Sequence, residues 1–299
     1  MKKTGLIFIC LLLVVLANAQ QLPHYSQYML NDYVMNPAIP GSKNFTEAKT
    51  NTRYQWVGVT DAPRTYIMSV SGVIKEKPMG IGGYIFSDIT GPTRRTGISL
   101  SYAYHLKVNE KMKLGLGLSA GILQFAVDAG KITVHDMNDV AISSGIQSVI
   151  VPDFGFGTYL YNDDYYFGVS VPQIYPSKLN FFDYSSKSKL VTHIYATGGY
   201  KFKINDDFVV QPTTLIKFVN PAPVQVDLGA RVIYKQKVWL GTGYRTSDAV
   251  TALVGYAFQD NLTIGYSYDF TTSNLRKYSS GTNEIYLAIK FHKPKQVNF

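Results

Sequence analysis

Residues 97–125 read GISLSYAYHL, KVNEKM and KLGLGLSAGILQF in succession, and this stretch decides the fold. Successive side chains of a β-strand point to opposite faces, so an apolar residue at every second position predicts a strand with one apolar face. The apolar positions are Ile98, Leu100, Tyr102, Tyr104 and Leu106 in the first part and Leu114, Leu116, Leu118, Ala120 and Ile122 in the last. Asn109 and Glu110 predict a tight turn, and the whole stretch therefore predicts a hairpin. Its apolar face would point inward in a soluble sandwich and toward lipid in an outer-membrane barrel.

Residues 1–19 predict a cleavable signal peptide. Lys2 and Lys3 form a charged start, residues 5–16 are apolar, and Ala17-Asn18-Ala19 is typical of a cleavage site. The apolar run is too short for a membrane span. Cys10 is the only cysteine of the chain, so the exported protein is expected to have neither disulfides nor thiol chemistry.

The composition excludes several classes of protein. No run of eighteen apolar residues follows Gln20, so a helical membrane span is excluded. The 23 Tyr, 16 Phe and 25 Gly residues favour strands. The formal net charge is +9, but the basic residues are scattered, which argues against nucleic-acid binding. Anionic lipid headgroups or acidic partners explain the excess better.

Fourteen strands are predicted, and the connections between them are sorted by length. The strands lie near 45–57, 64–72, 79–88, 94–106, 111–125, 148–161, 163–171, 190–203, 207–218, 224–235, 237–245, 248–258, 261–270 and 283–292. Connections after even-numbered strands are short, whereas the long ones, 126–147, 172–189 and 271–282, follow odd-numbered strands. Outer-membrane barrels have short periplasmic turns and longer outer loops. We therefore predict an all-β, transmembrane up-and-down antiparallel β-barrel of about 14 strands over residues 45–299.

The second face of several strands carries charges of both signs, as in Glu47, Lys49 and Arg53. A Lys or Arg facing mid-membrane lipid would cost about 2–4 kcal/mol, so these residues are predicted to face the lumen, where they can pair. Aromatic residues near strand ends suit the interfacial girdles: Tyr54, Trp56, Trp239, Tyr244, Tyr266 and Tyr268. For any single Tyr, the general preference of Tyr for strands is the better explanation.

No catalytic, cofactor or metal site is predicted. The histidines, His24, His105, His135, His193 and His292, are far apart and lack zinc-site spacing. A lipase remains a third hypothesis, because His105 shares an inward face with Ser99 and Ser101, but no G-x-S-x-G motif is present. The GIGG and GLGLSAG patterns lie within strands, so they are predicted to allow close approach between the wall and the lumen contents.

Residues 20–44 lack a strand pattern and are rich in Tyr, Asn and Pro. Disordered tails rarely hold so many aromatic residues. We predict that this periplasmic or plug segment packs in or under the periplasmic mouth of the barrel.

Two motifs at the beginning of the mature chain resemble the PorP/SprF family of type IX secretion system outer-membrane proteins. HYSQYMLNDYVMNPAIPGS is similar to the family's opening SQYM…NPAxxG, and RYQWVGVTDAPRTY is similar to its R-x-Q-W-x-G…A-P-x-T. The matching positions are Ser26, Gln27, Tyr28, Met29, Asn31, Asn36, Pro37, Ala38, Gly41, Arg53, Gln55, Trp56, Gly58, Ala62, Pro63 and Thr65. The chain has Thr282-Asn283-Glu284 where the family usually has Ser-His-Glu. The resemblance covers essentially the whole mature chain.

The resemblance implies a non-enzymatic barrel of the Bacteroidetes outer membrane that supports secretion or surface attachment of cargo proteins, sometimes gliding adhesins. Its implied partners are outer-membrane lipid, periplasmic ring or lipoprotein components, and cargo at the outer loops, with no cofactor and no nucleic acid. The candidate partner-binding residues are Ser26, Gln27, Tyr28, Met29, Asn36, Pro37, Ala38, Gly41, Arg53, Gln55 and Trp56. The alternative is a porin or transporter for a small solute, which conductance and uptake would distinguish.

Overall fold

The computed structural model describes residues 22–75, 77–132, 145–179, 188–259 and 261–291. The predicted signal peptide, His135 and His292 lie outside the described residues, as do the middle parts of the two longest predicted loops. The described part of the chain contains no helix with the length and hydropathy of a membrane span.

The described residues form one sheet of fourteen antiparallel strands. The strands are β1 (Thr46–Tyr54), β2 (Arg64–Val73), β3 (Met79–Thr90), β4 (Thr93–Lys107), β5 (Lys113–Asp128), β6 (Ile146–Tyr161), β7 (Tyr165–Val171), β8 (His193–Tyr200, continued by Phe202–Lys203), β9 (Phe208–Val219), β10 (Gln225–Tyr234), β11 (Val238–Arg245), β12 (Ala249–Phe258), β13 (Leu262–Thr271) and β14 (Thr282–Phe291). A short helix, α1 (Asp32–Met35), precedes them, and two 3-10 turns, Ala129–Lys131 and Asn274–Lys277, lie in connections.

Each strand pairs with the next, and β1 pairs with β14 from Thr46↔Phe291 to Tyr54↔Asn283. This last pairing closes the sheet into an up-and-down barrel. The predicted fold class and strand number are therefore confirmed, and the strand bounds agree within a few residues.

Asparagine side chains build three of the turns between neighbouring strands. Asn109 Oδ1 accepts hydrogen bonds from the backbone N–H groups of Lys111 and Met112, both at 2.9 Å. Asn162 and Asn205 close the β6–β7 and β8–β9 turns in the same way. Such Asx turns fix the register of the flanking strands, since the side chain replaces a backbone acceptor.

The sorting of connections by length is confirmed. One end of the barrel, here called the short-turn end, carries the connections 74–78, 108–112, 162–164, 204–207, 235–237 and 259–261. The other, the long-loop end, carries 55–63, 91–92, 129–145, 172–192, 220–224, 246–248 and 272–281. Every long connection lies at the long-loop end, although 91–92 and 246–248 there are also short.

The two faces of the wall follow the predicted alternation. Leu100 is 65% exposed and Leu118 is 63% exposed on the outside, whereas Ser99 and Ser101 are buried on the inside. The outer face is apolar, as a lipid-facing surface must be.

Trp239 is an exception to the predicted aromatic girdles. It is buried and points into the lumen with the inward residues of β11, whereas Tyr244 on the same strand is exposed on the outside. A Cβ atom on Gly255 would lie 1.9 Å from Trp239 Cζ2, so the missing side chain of that glycine makes room for the indole. The girdle prediction for Trp239 was wrong because strand parity, not residue type, sets the face.

Candidate functional site

Residues 22–45, here called the plug, occupy the lumen from the long-loop end to the short-turn end and lead directly into β1. Near the long-loop end, Leu22 N donates to His193 Nε2 at 3.3 Å. Near the short-turn end, Pro40 O lies 2.7 Å from His105 Nε2. The segment thus extends through the lumen beyond the mouth where the sequence analysis placed it.

The plug has one anchor near the long-loop end, here called the upper anchor, and it is the hydroxyl of Ser26. This hydroxyl donates to Asp269 at 2.7 Å and accepts from Arg53 Nη1 at 2.8 Å and from Arg245 Nη2 at 3.0 Å. Both guanidinium groups also bind Asp269, Arg53 at 2.8 Å and Arg245 at 3.1 Å. These buried charges come from β1, β11 and β13, so Ser26 joins three parts of the wall.

Glu284 holds the plug backbone at the same level. Its carboxylate accepts the N–H groups of Ser26 at 2.7 Å and Gln27 at 3.0 Å. It also binds Arg53 at 2.9 Å and Asn51 at 2.9 Å. Removing one partner from such a buried ionic network typically costs about 3–5 kcal/mol, because another charge is left uncompensated.

Aromatic side chains of the plug fill the middle of the lumen. The Tyr28 hydroxyl lies 3.0 Å from Thr213 Oγ1, and the Tyr33 hydroxyl donates to Ser101 Oγ at 3.1 Å. Both rings are buried, and their apolar neighbours are Tyr25, Met35, Ala38, Ile39, Ile67, Tyr159, Tyr195 and Leu215. The plug therefore contributes much of the barrel's core.

The second anchor of the plug, nearer the short-turn end, is here called the lower anchor. It is the turn at Asn36-Pro37-Ala38, the NPA turn, which lies against glycines of the wall. Asn36 Oδ1 accepts the N–H of Ala38, and Asn36 Nδ2 donates to Thr158 O, both at 2.9 Å. A Cβ atom on Gly117 would lie 2.3 Å from the carbonyl carbon of Pro37. The predicted close approach between strand glycines and the lumen contents is confirmed.

The plug turns away from these wall glycines at Gly41, whose φ of +86° suits a residue without a side chain. A Cβ on Gly80 would lie 2.1 Å from the carbonyl carbon of Pro40. His105 contacts Pro40 O through Nε2 and the Tyr161 hydroxyl through Nδ1, at 2.7 and 3.0 Å. Both ring nitrogens of His105 are engaged by the plug and the wall, which gives no support to the lipase hypothesis.

A four-charge cluster follows at the short-turn end. Lys43 binds Asp32 at 2.9 Å and Glu47 at 2.8 Å, and Lys49 binds the same two carboxylates at 2.5 and 2.7 Å. Burial alone would raise the pKa of Asp32, but the two lysines outweigh it and hold that pKa below the usual range. The cluster is neutral and joins α1 to the beginning of β1.

A cavity of about 510 Å³, here called the vestibule, opens at the short-turn end. Its floor is made by plug residues, among them Met29, Leu30 and Asp32. Its walls and rim include Tyr159, Tyr161, Tyr166, Tyr286, Lys111, Lys113, Asp163, Asp164, Lys201, Arg231 and Lys290.

The described parts of connection 172–192 pack against the wall at the long-loop end. Leu179 and Leu190 of this connection are buried against Leu123 and Val151 of the wall. A backbone pairing of Lys178 with Lys189 brings the two sides of the connection together.

The comparison with protein families decides the assignment. A family model described as "Type IX secretion system membrane protein PorP/SprF" matches residues 17–289. The chain belongs to the PorP/SprF family. The resemblance seen in the sequence is confirmed, and this PorP/SprF chain is a membrane protein of the type IX secretion system in the outer membrane.

Solved structures similar to this PorP/SprF chain are outer-membrane barrels. The "CymD monoaromatic hydrocarbon channel" is 13% identical over 91% of this chain and 95% of that chain, with a TM-score of 0.52. A TodX mutant, also titled a monoaromatic hydrocarbon channel, is 10% identical over 86% and 92%, with a TM-score of 0.50. A Pseudomonas aeruginosa FadL homologue is 13% identical over 87% and 93%, with a TM-score of 0.48. At these identities the likeness shows the fold alone, and a comparison with curated proteins finds no match.

Most candidate partner-binding residues of this PorP/SprF chain lie inside the lumen. Ser26, Gln27, Tyr28, Asn36, Ala38 and Arg53 are buried, and Met29, Pro37 and Gly41 are half-buried in the plug. Gln55 and Trp56 lie apart from them, in the 55–63 connection at the long-loop end. Tyr28 and Met29 are the members of the set that border the vestibule. Partner binding by these residues stays a prediction.

Sequence reasoning missed the wall residues that bind the plug. Arg245 and Asp269 end the segments WLGTGYR and IGYSYD, which also resemble the family, but neither residue was given a role. Both lie on the inward face near strand ends, which is the signal that could have pointed to them. Among the described residues, no group of three or more His, Cys, Asp or Glu could hold a metal ion.

Proposed function

We propose that this PorP/SprF protein is a closed, non-conducting docking scaffold of the type IX secretion system. It supports secretion or surface attachment of cargo proteins at its long-loop end and docks to periplasmic components through its short-turn end. The observation that carries the proposal is the plug, which is anchored at both ends of the lumen by buried contacts. The secretion role itself rests on family membership.

The filled lumen argues against the alternative of a solute porin. A porin needs a continuous aqueous channel. Here Tyr28 and Tyr33 cross the lumen to different parts of the wall, and Leu179 and Leu190 are buried against the wall at the long-loop end. Solute passage would require the plug to leave the barrel.

The sorting of the connections supports an orientation. Outer-membrane barrels place short turns in the periplasm and long loops outside the cell. The vestibule then faces the periplasm, and a periplasmic component entering it meets a floor of plug residues such as Met29 and Asp32. Tyr28 and Met29 join the candidate set to this surface.

Deletion of residues 23–40, with the predicted signal peptide kept, tests the proposal. The barrel should still show the heat-dependent gel mobility of a folded outer-membrane barrel, because every strand pairing of β1–β14 is retained. We expect it to gain conductance in planar bilayers, to lose its periplasmic partners on co-purification, and to display less cargo. Deletion of Asn274–Lys277 in the long-loop end is the control for conductance and for periplasmic partners, since it leaves the plug and the vestibule unchanged.

Two results would refute the scaffold. One is stable conductance by the unaltered protein, which would revive the porin. The other is a folded 23–40 deletion that retains its periplasmic partners and displays cargo normally.

A further inference from the structure

We propose that the vestibule is a binding site for a short acidic peptide segment, such as a chain terminus or a loop tip, of a periplasmic protein. The inference rests on the orientation proposed above and names the chemistry of the partner. Its support comes from the charge, the aromatic walls and the shape of the vestibule.

The described lining of the vestibule has an excess of positive charge. Lys43, Asp32 and Glu47 of the lining and Lys49 behind it form a cluster of two cations and two carboxylates, whose charges cancel. Four more cations of the lining, Lys111, Lys113, Lys201 and Arg231, outnumber its other two carboxylates, Asp163 and Asp164, while Lys290 stands over the ring of Phe45. Four cations against two carboxylates leave a net charge of +2 on a concave surface, which concentrates anions.

Arg231 is the deepest of these cations. Its Nε and Nη2 atoms donate to the neutral amide oxygen of Gln211 at 3.0 and 2.7 Å. No carboxylate of the described residues lies within salt-bridge distance of its guanidinium group, which stands 6.0 Å from the ring centre of Trp239. The amide of Gln211 uses two of the five N–H donors of this guanidinium group, so three remain for a carboxylate, which arginine binds with directional hydrogen bonds.

Tyrosine rings form the wall between the rim and Arg231. Tyr159 stacks on Tyr161 with ring centres 5.2 Å apart, and Tyr166 lies 5.7 Å from Tyr159. Such rings offer large, rigid, amphipathic surfaces, which are favoured in protein interfaces. A peptide could pack its aliphatic and backbone atoms on these rings while its carboxylates reach the lysines of the rim.

The shape of the vestibule limits what can enter. Its volume of about 510 Å³ lies in the range of ligand pockets, and the plug closes its inner end. A folded domain cannot enter a cavity of this size, and a solute on its way through the membrane would meet a closed floor. A narrow, extended segment that enters from the periplasm and stops fits both facts. Carbohydrates also stack on tyrosines, and the experiment separates them from peptides.

Binding of labelled peptides to the detergent-purified full chain tests the proposal by fluorescence anisotropy. The ligand is hexaglutamate with an N-terminal fluorescein and a free C-terminal carboxylate. Hexaglutamine with the same ends is the comparison with uncharged side chains, and labelled muropeptide fragments are the carbohydrate comparison. We expect saturable binding of hexaglutamate alone. Binding should weaken as salt rises from about 0.05 M to about 0.5 M, because the screening length falls severalfold over that range.

Two vestibule variants and one matched control locate the site. Arg231→Gln should weaken binding of hexaglutamate about tenfold or more, a loss of about 1.4 kcal/mol. Lys111→Gln combined with Lys113→Gln should weaken it similarly, and these exposed positions keep the test valid if Arg231→Gln does not fold. Arg276→Gln combined with Lys277→Gln removes the same charge at the long-loop end and should leave binding unchanged.

Three outcomes would overturn the proposal. Hexaglutamate and hexaglutamine bind equally, the long-loop control loses as much affinity for hexaglutamate as the vestibule variants do, or muropeptide fragments bind and hexaglutamate does not. If hexaglutamate does not bind while periplasmic partners still co-purify with the unaltered barrel, the acidic-peptide site fails and the docking scaffold stands. If the partners are absent as well, the proposed function fails with it.

Discussion

Gly117→Ala should release the NPA turn from the wall while leaving the barrel intact. The new Cβ atom would lie 2.3 Å from the carbonyl carbon and oxygen of Pro37 and 2.4 Å from Ala38 N. These are backbone atoms, so no side-chain rotation can relieve the overlap. The wall cannot retreat either, because Gly117 is paired with Ala103 on one side and Gly157 on the other.

The size of the effect follows from the contacts that the turn would lose. Three hydrogen bonds hold it: Asn36 Nδ2 to Thr158 O, Ser170 Oγ to Met35 O, and His105 Nε2 with Pro40 O. Each contributes about 1 kcal/mol net, so detachment forfeits about 3 kcal/mol. Since about 1.4 kcal/mol is a factor of ten, these bonds favour the docked turn about 100-fold in the unaltered protein, and the overlap in the variant removes that preference.

Hydrogen–deuterium exchange measured by mass spectrometry reports this change directly. Amides in residues 36–42 are protected by turn bonds, such as Ile39 N to Asn36 O and Ser42 N to Ile39 O, and should exchange about 100-fold faster in the variant. Gly198→Ala is the control, because its Cβ would meet nothing nearer than Thr214 Cγ2 at 3.6 Å. Unchanged exchange in residues 36–42, or a barrel that fails to assemble, would refute the reasoning that the wall is fixed and the turn yields.

Two further predictions test the faces and the orientation of the barrel. Leu118→Arg, on the lipid face, should block membrane assembly at a cost of about 2–4 kcal/mol. Ser119→Arg points inward near the carboxylate of Asp153 and should be tolerated better in the same folding assay. Equal tolerance of the two variants would contradict the assigned faces. A cysteine introduced at Thr60, in the long-loop end, should react with a membrane-impermeant maleimide on intact cells. A cysteine introduced at Asp206, in the short-turn end, should react only after the outer membrane is opened. The opposite labelling pattern would show that the barrel has the reverse orientation.

The barrel could be predicted because its signals are local. An alternation of period two fixes the face of each residue, and single asparagines such as Asn109 fix the turns. The strands can therefore be predicted without distant contacts. Trp239 shows the limit of residue type as a guide, because the slot that receives its indole is made by Gly255 on the neighbouring strand.

The path of the plug could not be predicted in the same way. Residues 22–45 have no periodicity, and Ser26 finds its partners more than two hundred residues away in Arg245 and Asp269. The sequence predicts that an aromatic segment packs, that inward charges pair and that strand glycines allow a close approach, but it does not say which of these groups contact one another. Those contacts are defined only by the closed barrel, which brings distant residues together.

The two anchors of the plug differ in kind, and the difference bears on how the vestibule could bind a partner. The upper anchor at Ser26 is ionic and buried, whereas the lower anchor at Gly117 is steric and made of backbone atoms. A partner entering the vestibule meets the plug below Ser26, so the ionic network stays intact behind the floor. Because that floor is held in place before any partner arrives, binding does not have to order it, and less of the interaction free energy is lost to conformational entropy. A plug fixed in this way serves a docking surface better than a gate, since a gate would have to break the charge network at every opening.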